Sequence, residues 1–314
     1  MKSVIKFLRY YVNDYLYMVK HSLSCPWDSK DRMLAKIMLL MHALEKGMSF
    51  PKDRIFGKEK ANSLVIILEQ YLIKYECNNI CIIALNVLSE YLKQTNSTDN
   101  QKIRKKISTL LQKYKDNIVE NYAGVKKVMG PFVFNKEYIE SFYKSRASVR
   151  DFSNVKVSDE EIKSALKIAT TTPTACNRQT CRIHAYRDKV LIDKILDNQL
   201  GNQGWANKAT ILFIITSNVS YFNCGYERYQ AFIDGGLFAM NFDMGLHLNN
   251  IASCFKMYVR TPQIDKKFRK ISNIPENEVP ILLILAGHYP SYEITSPKSV
   301  RISEDNPFEI LTIH

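Results

Sequence analysis

The sequence predicts an α+β protein whose first 130 residues form an all-helical extension. Three observations carry this expectation. Apolar residues recur at three- and four-residue steps through residues 1–128, so this part reads as almost entirely helical. From residue 131 the texture changes to helical patterns alternating with short β-rich runs. The 314 residues are 46% hydrophobic and 24% charged, with only 11 Gly and 10 Pro. That balance excludes a disordered or collagenous chain and suits one large domain or two ordinary ones.

Ile5, Leu8, Tyr11, Val12, Tyr15, Leu16 and Val19 make the first helical stripe. A second helix, roughly 29–46, carries Met33, Ile37, Leu40 and Leu44 and is expected to stop at Gly47 as a C-terminal cap. Gly47 to Gly57 is a loop containing Pro51. Lys58–Lys74, Asn79–Lys93 and Asn100–Tyr122 supply three more helices. Thr95 to Thr98 is a polar break before the last of these, with Asp99 as its N-cap. No period of 20–50 residues repeats, so a solenoid is excluded.

In the second part, Ser158-Asp-Glu-Glu161 forms a capping box, and Ile162, Ala165, Leu166 and Ala169 form the buried face of the helix that Pro173 closes. Arg182–Arg187 reads as a strand, Leu191–Leu200 as a helix and Ala209–Thr216 as a buried strand. Glu227–Asn249 is a long helix with Gly235, Gly236, Ala239 and Gly245 along it. It ends at Asn249-Asn250, where Asn tolerates the left-handed conformation, and Ile251 to Cys254 comes next as an exit turn. Val279–Ala286 is an apolar central strand. The expected division is 1–130 against 131–314.

Charge and cysteine usage narrow the function. The net charge of +13 is concentrated early: residues 1–135 hold 22 Lys+Arg and 12 Asp+Glu, against 22 and 19 in residues 136–314. The densest cluster, Lys102, Arg104, Lys105 and Lys106, flanks an apolar stripe of Ile103, Ile107, Leu110 and Leu111, as a solvated helix face does. No zinc finger, RNA-recognition motif or basic zipper accompanies it, so nucleic acid is not the expected partner. Binding of nucleic acid or an anionic membrane surface through residues 1–135 stays open as an alternative and would be steeply salt-dependent. Lys2, Lys6, Arg9, Asp14 and Lys20 break any signal-peptide core, and no segment reads as a membrane span. Seven scattered cysteines without an export signal point to reduced thiols in a cytoplasm. Cys77-x3-Cys81 lacks a second pair to complete a zinc site, so no metal is expected.

Three clusters could carry chemistry. In Ser145-Arg-Ala-Ser-Val-Arg-Asp-Phe152, an extended backbone would point Arg146, Ser148 and Arg150 the same way. Two guanidinium forks with a hydroxyl between them suit a phosphate; a basic edge strand making surface salt bridges is the alternative. Thr172-Pro-Thr-Ala-Cys-Asn-Arg-Gln179 offers small and amide-bearing residues to a polar heterocycle, or is a plain helix-to-strand turn. Ile233-Asp-Gly-Gly-Leu-Phe-Ala-Met240 opens a helix that can pack tightly through its glycines.

These clusters, in this order and spacing, resemble the nitroreductase-like family of flavin mononucleotide (FMN) oxidoreductases. The family's Arg-x-Ser-x-Arg-x-Phe is matched by Arg146, Ser148, Arg150 and Phe152, and its Pro-Ser/Thr-x-x-Asn-x-Gln by Pro173, Thr174, Asn177 and Gln179. Its Gly-Leu-Gly-Thr-Cys turn corresponds only to Asn250, Ile251, Ala252, Ser253 and Cys254. Its final Gly-Tyr-Pro corresponds to Gly287-His-Tyr-Pro290, followed by Lys298 or Arg301. The resemblance spans residues 136–311. His42-Ala-Leu-Glu-Lys-Gly47 and Cys176-Asn-Arg-Gln179 are similar to a subgroup often associated with polysaccharide biosynthesis genes. Thr180-Cys181 replaces the usual Pro-Trp, and both turn glycines are replaced.

The resemblance implies a three-layer α-β-α fold with a mixed sheet, assembled as a homodimer with FMN at the subunit interface. Arg146, Ala147, Ser148 and Arg150 would hold the flavin phosphate, with Lys298 or Arg301 closing over it. Pro173, Thr174, Ala175, Asn177 and Gln179 would approach the ring from the other subunit. The backbone of Ala252 and Ser253 would lie beside the ring. The implied activity passes hydride from NADH or NADPH through FMN to a small-molecule acceptor in a ping-pong cycle, with no catalytic side chain required. A flavin-binding scaffold without turnover, or a dehydrogenase acting on a biosynthetic intermediate, are the alternatives. His42, His184, His247 and His288 read as structural or exposed.

Overall fold

Helix-forming sequence occupies the first part of the molecule. In a computed structural model, residues 2–50, 56–95, 101–197, 199–200, 204–301 and 312 are described. Helices α1 (Lys2–His21), α2 (Lys30–Met48), α3 (Lys58–Lys74), α4 (Asn79–Gln94) and α5 (Gln101–Lys113) come first. The remaining order is α6 (Lys136–Ser145), α7 (Asp159–Ala169), β1 (Cys181–Tyr186), α8 (Lys189–Leu196), β2 (Ile211–Asn218), α9 (Gln230–Leu248), β3 (Ile251–Met257), α10 (Pro262–Ser272) and β4 (Glu278–His288).

Helices α2 to α5 bury one apolar stripe each in a common core that includes Leu44, Leu64, Leu68, Leu85, Leu88 and Ile107. Asn78 caps α4 by accepting the Ile80 and Cys81 amides at 3.0 and 3.1 Å. The expected Asp99 cap lies outside the described residues. Gly47 does not terminate α2, which continues to Met48 with Ser49 as its cap. A side chain at Gly47 would run into the Phe56 ring at 2.3 Å, so the glycine serves close packing instead of a left-handed turn. Helix α5 ends at Lys113, short of the expected Tyr122. A 3-10 turn over Lys115–Asn117 succeeds it, and Asn86 fastens this turn by donating to the Asn117 carbonyl at 2.9 Å.

The sheet has the order β1-β2-β4-β3 and every pair of named strands is antiparallel. Side chains alternate between its faces. Leu212, Ile214, Leu283 and Leu285 face α8 and α10, while Ile211, Phe213, Ile215, Ile284 and Ala286 face α7 and α9. The result is a three-layer α-β-α arrangement, with helices on both faces of the sheet. The expected mixed sheet is corrected in one respect: among the described residues the parallel component is a single bridge between Ser148 and Ser253. The Arg146–Arg150 stretch pairs with β3 at this one point, and the Ser153 amide then donates to the His288 carbonyl of β4 at 2.9 Å.

Three elements went unread in the sequence. Helix α6 is announced by Asn135, which caps the Tyr138 amide at 2.9 Å. Helix α10 carries the Thr261 cap and Pro262 in its first turn, a standard helix start. Strand β3 begins directly at Ile251: Asn250 takes the left-handed turn (φ 57°), but the chain then continues as a buried strand and not as an exit turn. One left-handed residue suffices to reverse the chain from α9 into the sheet.

The helical part meets the sheet through named contacts. Tyr221, just after β2, is buried in the core of α2 to α5. Asp31 of α2 accepts from Asn218 and Asn277 side chains at 2.9 and 2.7 Å. The Leu23 amide donates to the Phe222 carbonyl at 2.8 Å.

Candidate functional site

The Arg146–Arg150 stretch lies along the outer edge of β3. The Val149 amide donates to the Ser253 carbonyl at 2.9 Å, which closes the bridge and buries Val149 and Phe152. A Cβ on Gly287 would sit 2.9 Å from Phe152, so the glycine admits that ring against β4. Paired strand residues point to the same face, so Ser148 shares the α9 side with Ser253. The Ser253 hydroxyl donates to Asp243 of α9.

The two arginines take different partners, contrary to the expectation that they share one direction. Arg146 directs Nη1 toward Asp243 Oδ2, 3.9 Å away, whereas the Arg150 guanidinium lies 5.5 Å over the Trp205 ring. Both arginines remain close enough to Cys254 to favour its thiolate, as does Lys256, although burial dominates and pushes the thiol up. Lys256 is buried on β3 and donates to the Leu200 carbonyl. The C-terminal stretch crosses the same place: Ser296 donates to the Ser148 carbonyl at 3.1 Å. Lys298 and Arg301 lie further along this stretch, and both are exposed. Ala147 is half-buried, and Ala252 is buried in the core.

Asp243 was missed at the sequence level. It is fully buried, its Oδ2 accepts no hydrogen bond, and burial raises its carboxyl against the opposing pull of Ser253, Arg146 and His247. The readable signal was an acid within an apolar helix. A second such acid, Asp234, lies nine residues earlier in α9 and serves the other motif. It accepts the Ala175 amide at 3.1 Å and the Gln230 side chain at 2.7 Å.

The 173–179 segment is a tight loop with three left-handed residues, Cys176, Asn177 and Gln179 (φ 52°, 51° and 49°). Its fixture is Arg178, which is 1% exposed. The guanidinium binds Glu227 in a fork (3.0 and 2.6 Å), donates to the Tyr221 and Ala175 carbonyls at 2.7 and 2.9 Å, and stacks 4.7 Å over Phe222. Burial alone would raise the Glu227 carboxyl; the Arg178 and Asn223 donors outweigh it and hold the carboxyl below its ordinary value. The Thr174 hydroxyl accepts the Gln179 amide at 3.0 Å. Beside the loop, Leu166, Thr172, Thr174, Gln179, Arg182 and Phe238 line a cavity of about 280 Å³.

Glu227→Ala is expected to destabilise the fold by about 3–5 kcal/mol, because it leaves the buried Arg178 charge without its carboxylate. The depressed carboxyl contributes stability that is complete above the ordinary carboxylate range and is lost as pH falls through the folded value. Glu227→Gln should therefore flatten the acid limb of a stability-versus-pH curve measured by urea titration. An unchanged acid limb would remove Glu227 from this role.

The two motifs do not face a common space within one chain. They lie on opposite edges of the sheet, one before β1 and the other against β3, with β2 and β4 between. Asp234 and Asp243 are half a turn apart around α9, at opposite borders of its buried face. The outward face of α9 is apolar nonetheless: Ile233, Leu237, Met240 and Leu248 are exposed.

The histidines have structural partners. His247 stacks on Phe142 at 5.0 Å and lies 2.7 Å from the Ser145 hydroxyl, which seats α6 on α9. His184 lies 2.7 Å from Glu278 within the sheet.

Residues 143–201 match the model of the nitroreductase family. No curated protein matches the chain. Similar solved structures include a nitroreductase family protein from Streptococcus pneumoniae TIGR4, with 19% identity, 56% of this chain and 100% of that chain covered, and a TM-score of 0.47. An FMN-dependent nitroreductase from Clostridium difficile R20291 has 18% identity over 55% of this chain and 96% of that chain, with a TM-score of 0.45. A nitroreductase with bound FMN from Desulfitobacterium hafniense DCB-2 has 18% identity over 56% and 97%, with a TM-score of 0.43. The family match begins just before Arg146 and runs past Gln179, so the segment that is similar to the nitroreductase family takes in both motifs.

Proposed function

We propose that the protein is an FMN-dependent oxidoreductase that works as a homodimer, with residues 131–314 as the flavin domain and 1–130 as its helical extension. The observation that carries this reading is the Ser148–Ser253 bridge, which sets Arg146 and Arg150 on either side of Ser148 at one strand edge. Cations and a hydroxyl at an open edge fit a phosphomonoester, so the donor set suits the phosphate end of FMN. Asp243 opposes an anion there, but its raised carboxyl and its tie to Ser253 temper that opposition. Bound at this edge, FMN would supply hydride transfer between NADH or NADPH and a small-molecule acceptor in a ping-pong cycle.

The chain's residues then have these roles. Arg146, Ala147, Ser148 and Arg150 bind the phosphate, and Lys298 or Arg301 closes over it from the stretch that Ser296 fastens. Ala252 and Ser253 form the wall beside the ring. Pro173, Thr174, Ala175, Asn177 and Gln179 complete the site from a second copy, because one copy holds them on the far edge. The exposed apolar face of α9 is the surface that a second copy would cover.

The purified protein is expected to be yellow, to be bleached by NADH or NADPH without oxygen, and to scatter light as a dimer. A monomer that still holds FMN would remove the composite site. A yellow dimer that neither nicotinamide bleaches would favour the scaffold alternative.

A further inference from the structure

Helix α1 is attached along one side only. Tyr17 and Met18 pack beneath it, Asp14 lies 3.4 Å from Arg260, and Lys20 lies 3.1 Å from Glu276. Seven large apolar side chains on its other side stay in solvent: Ile5, Leu8, Tyr11, Val12, Tyr15, Leu16 and Val19. Leu8 is 61% exposed and Tyr15 is 65% exposed. At 100° per residue these seven fall within one arc of about 140°, so they form a continuous stripe the length of the helix. A stripe of this extent is larger than the scattered apolar residues of an ordinary surface.

The charge of the helix decides what covers that stripe. In the sequence of the helix Lys2, Lys6, Arg9 and Lys20 stand against Asp14 alone; Asp14 is paired with Arg260 and Lys20 with Glu276. The excess continues through residues 1–135, with 22 Lys+Arg against 12 Asp+Glu. Packing two α1 stripes together would bring like charges side by side. An anionic surface neutralises them and takes up the apolar stripe at the same time. Tyrosines at positions 11 and 15 suit a boundary that is apolar below and wet above. Among the described residues no helix is long and apolar enough to cross a membrane.

We propose that α1 docks the protein on anionic lipid bilayers, lying in the plane of the interface with Ile5, Leu8, Tyr11, Val12, Tyr15, Leu16 and Val19 inserted among the headgroups. The basis is independent of the flavin site.

Flotation of the full chain with vesicles tests this. Binding is expected with phosphatidylcholine vesicles containing phosphatidylglycerol and is expected to be absent with phosphatidylcholine alone. It should weaken as salt is raised. The double variant Leu8→Ser, Tyr15→Ser should bind at least about tenfold less, since two inserted apolar groups are lost. Its thermal transition should match the wild type, because both side chains are exposed in the folded protein. Absence of wild-type binding to the anionic vesicles would overturn the proposal, as would undiminished binding of the double variant. A wild-type oligomer that the double variant breaks down, without any vesicle binding, would assign the stripe to a second copy instead.

Discussion

A chain lacking residues 1–128 is expected to aggregate, or to melt far below the full protein. Tyr221 would lose the helical core that buries it, and Val219 and Phe222 would lose Tyr17 and Met18. Each such side chain contributes about 1.5–3 kcal/mol when fully buried. Two or three together approach the whole stability of a domain, about 5–15 kcal/mol. Asn218 and Asn277 would also lose Asp31, and the Phe222 carbonyl would lose the Leu23 amide. Calorimetry of the truncated and full chains checks this. A soluble truncated chain with an unchanged transition would make the helices an independent module.

The double substitution Arg146→Ala, Arg150→Ala is expected to weaken FMN binding by on the order of 10²- to 10⁴-fold, since each charge-assisted hydrogen bond contributes roughly 1.5–3 kcal/mol. The structure adds a reason why the fold should survive. Asp243 loses the Arg146 cation, which lowers its carboxyl, so the carboxyl moves further up and can take a proton instead of staying as an unpaired buried charge. Riboflavin lacks the phosphate and should bind the wild type weakly while being nearly indifferent to the double change. Fluorescence titration of the apoprotein with both flavins separates the cases. Equal losses for the two flavins would mean that these arginines support the pocket generally.

Local chemistry was legible in the sequence wherever a short pattern suffices. The capping box at Ser158 and Glu161 forms as read, with the Glu161 amide donating to the Ser158 hydroxyl at 3.2 Å and the Glu161 carboxylate accepting the Ser158 amide at 2.8 Å. The run Ile211–Asn218 is buried at every position, as a central strand of an apolar, β-rich run should be. Long-range dependence was not legible. Arg178 reads as a polar loop residue, because the partner that lets it enter the core is Glu227, 49 residues on. Arg150 leaves the direction of Arg146 for Trp205, a partner that no alternation rule supplies. Strand β3 was hidden for a different reason. The Asn-Asn signal for a reversal was sound, but a turn signal does not say how soon a strand resumes.

The left-handed loop at 176–179 has a kinetic consequence. Non-glycine residues in this region cost about 1 kcal/mol or more each, so three of them would ordinarily leave a loop that samples many shapes. Arg178 holds its neighbours in place from inside the core, through bonds formed when the protein folds. Ordering of the loop is therefore complete before any ligand arrives. Whatever meets this loop encounters amides and side-chain amides already fixed in space. Its capture should be limited by diffusion and orientation, with no slow closing step of the loop itself.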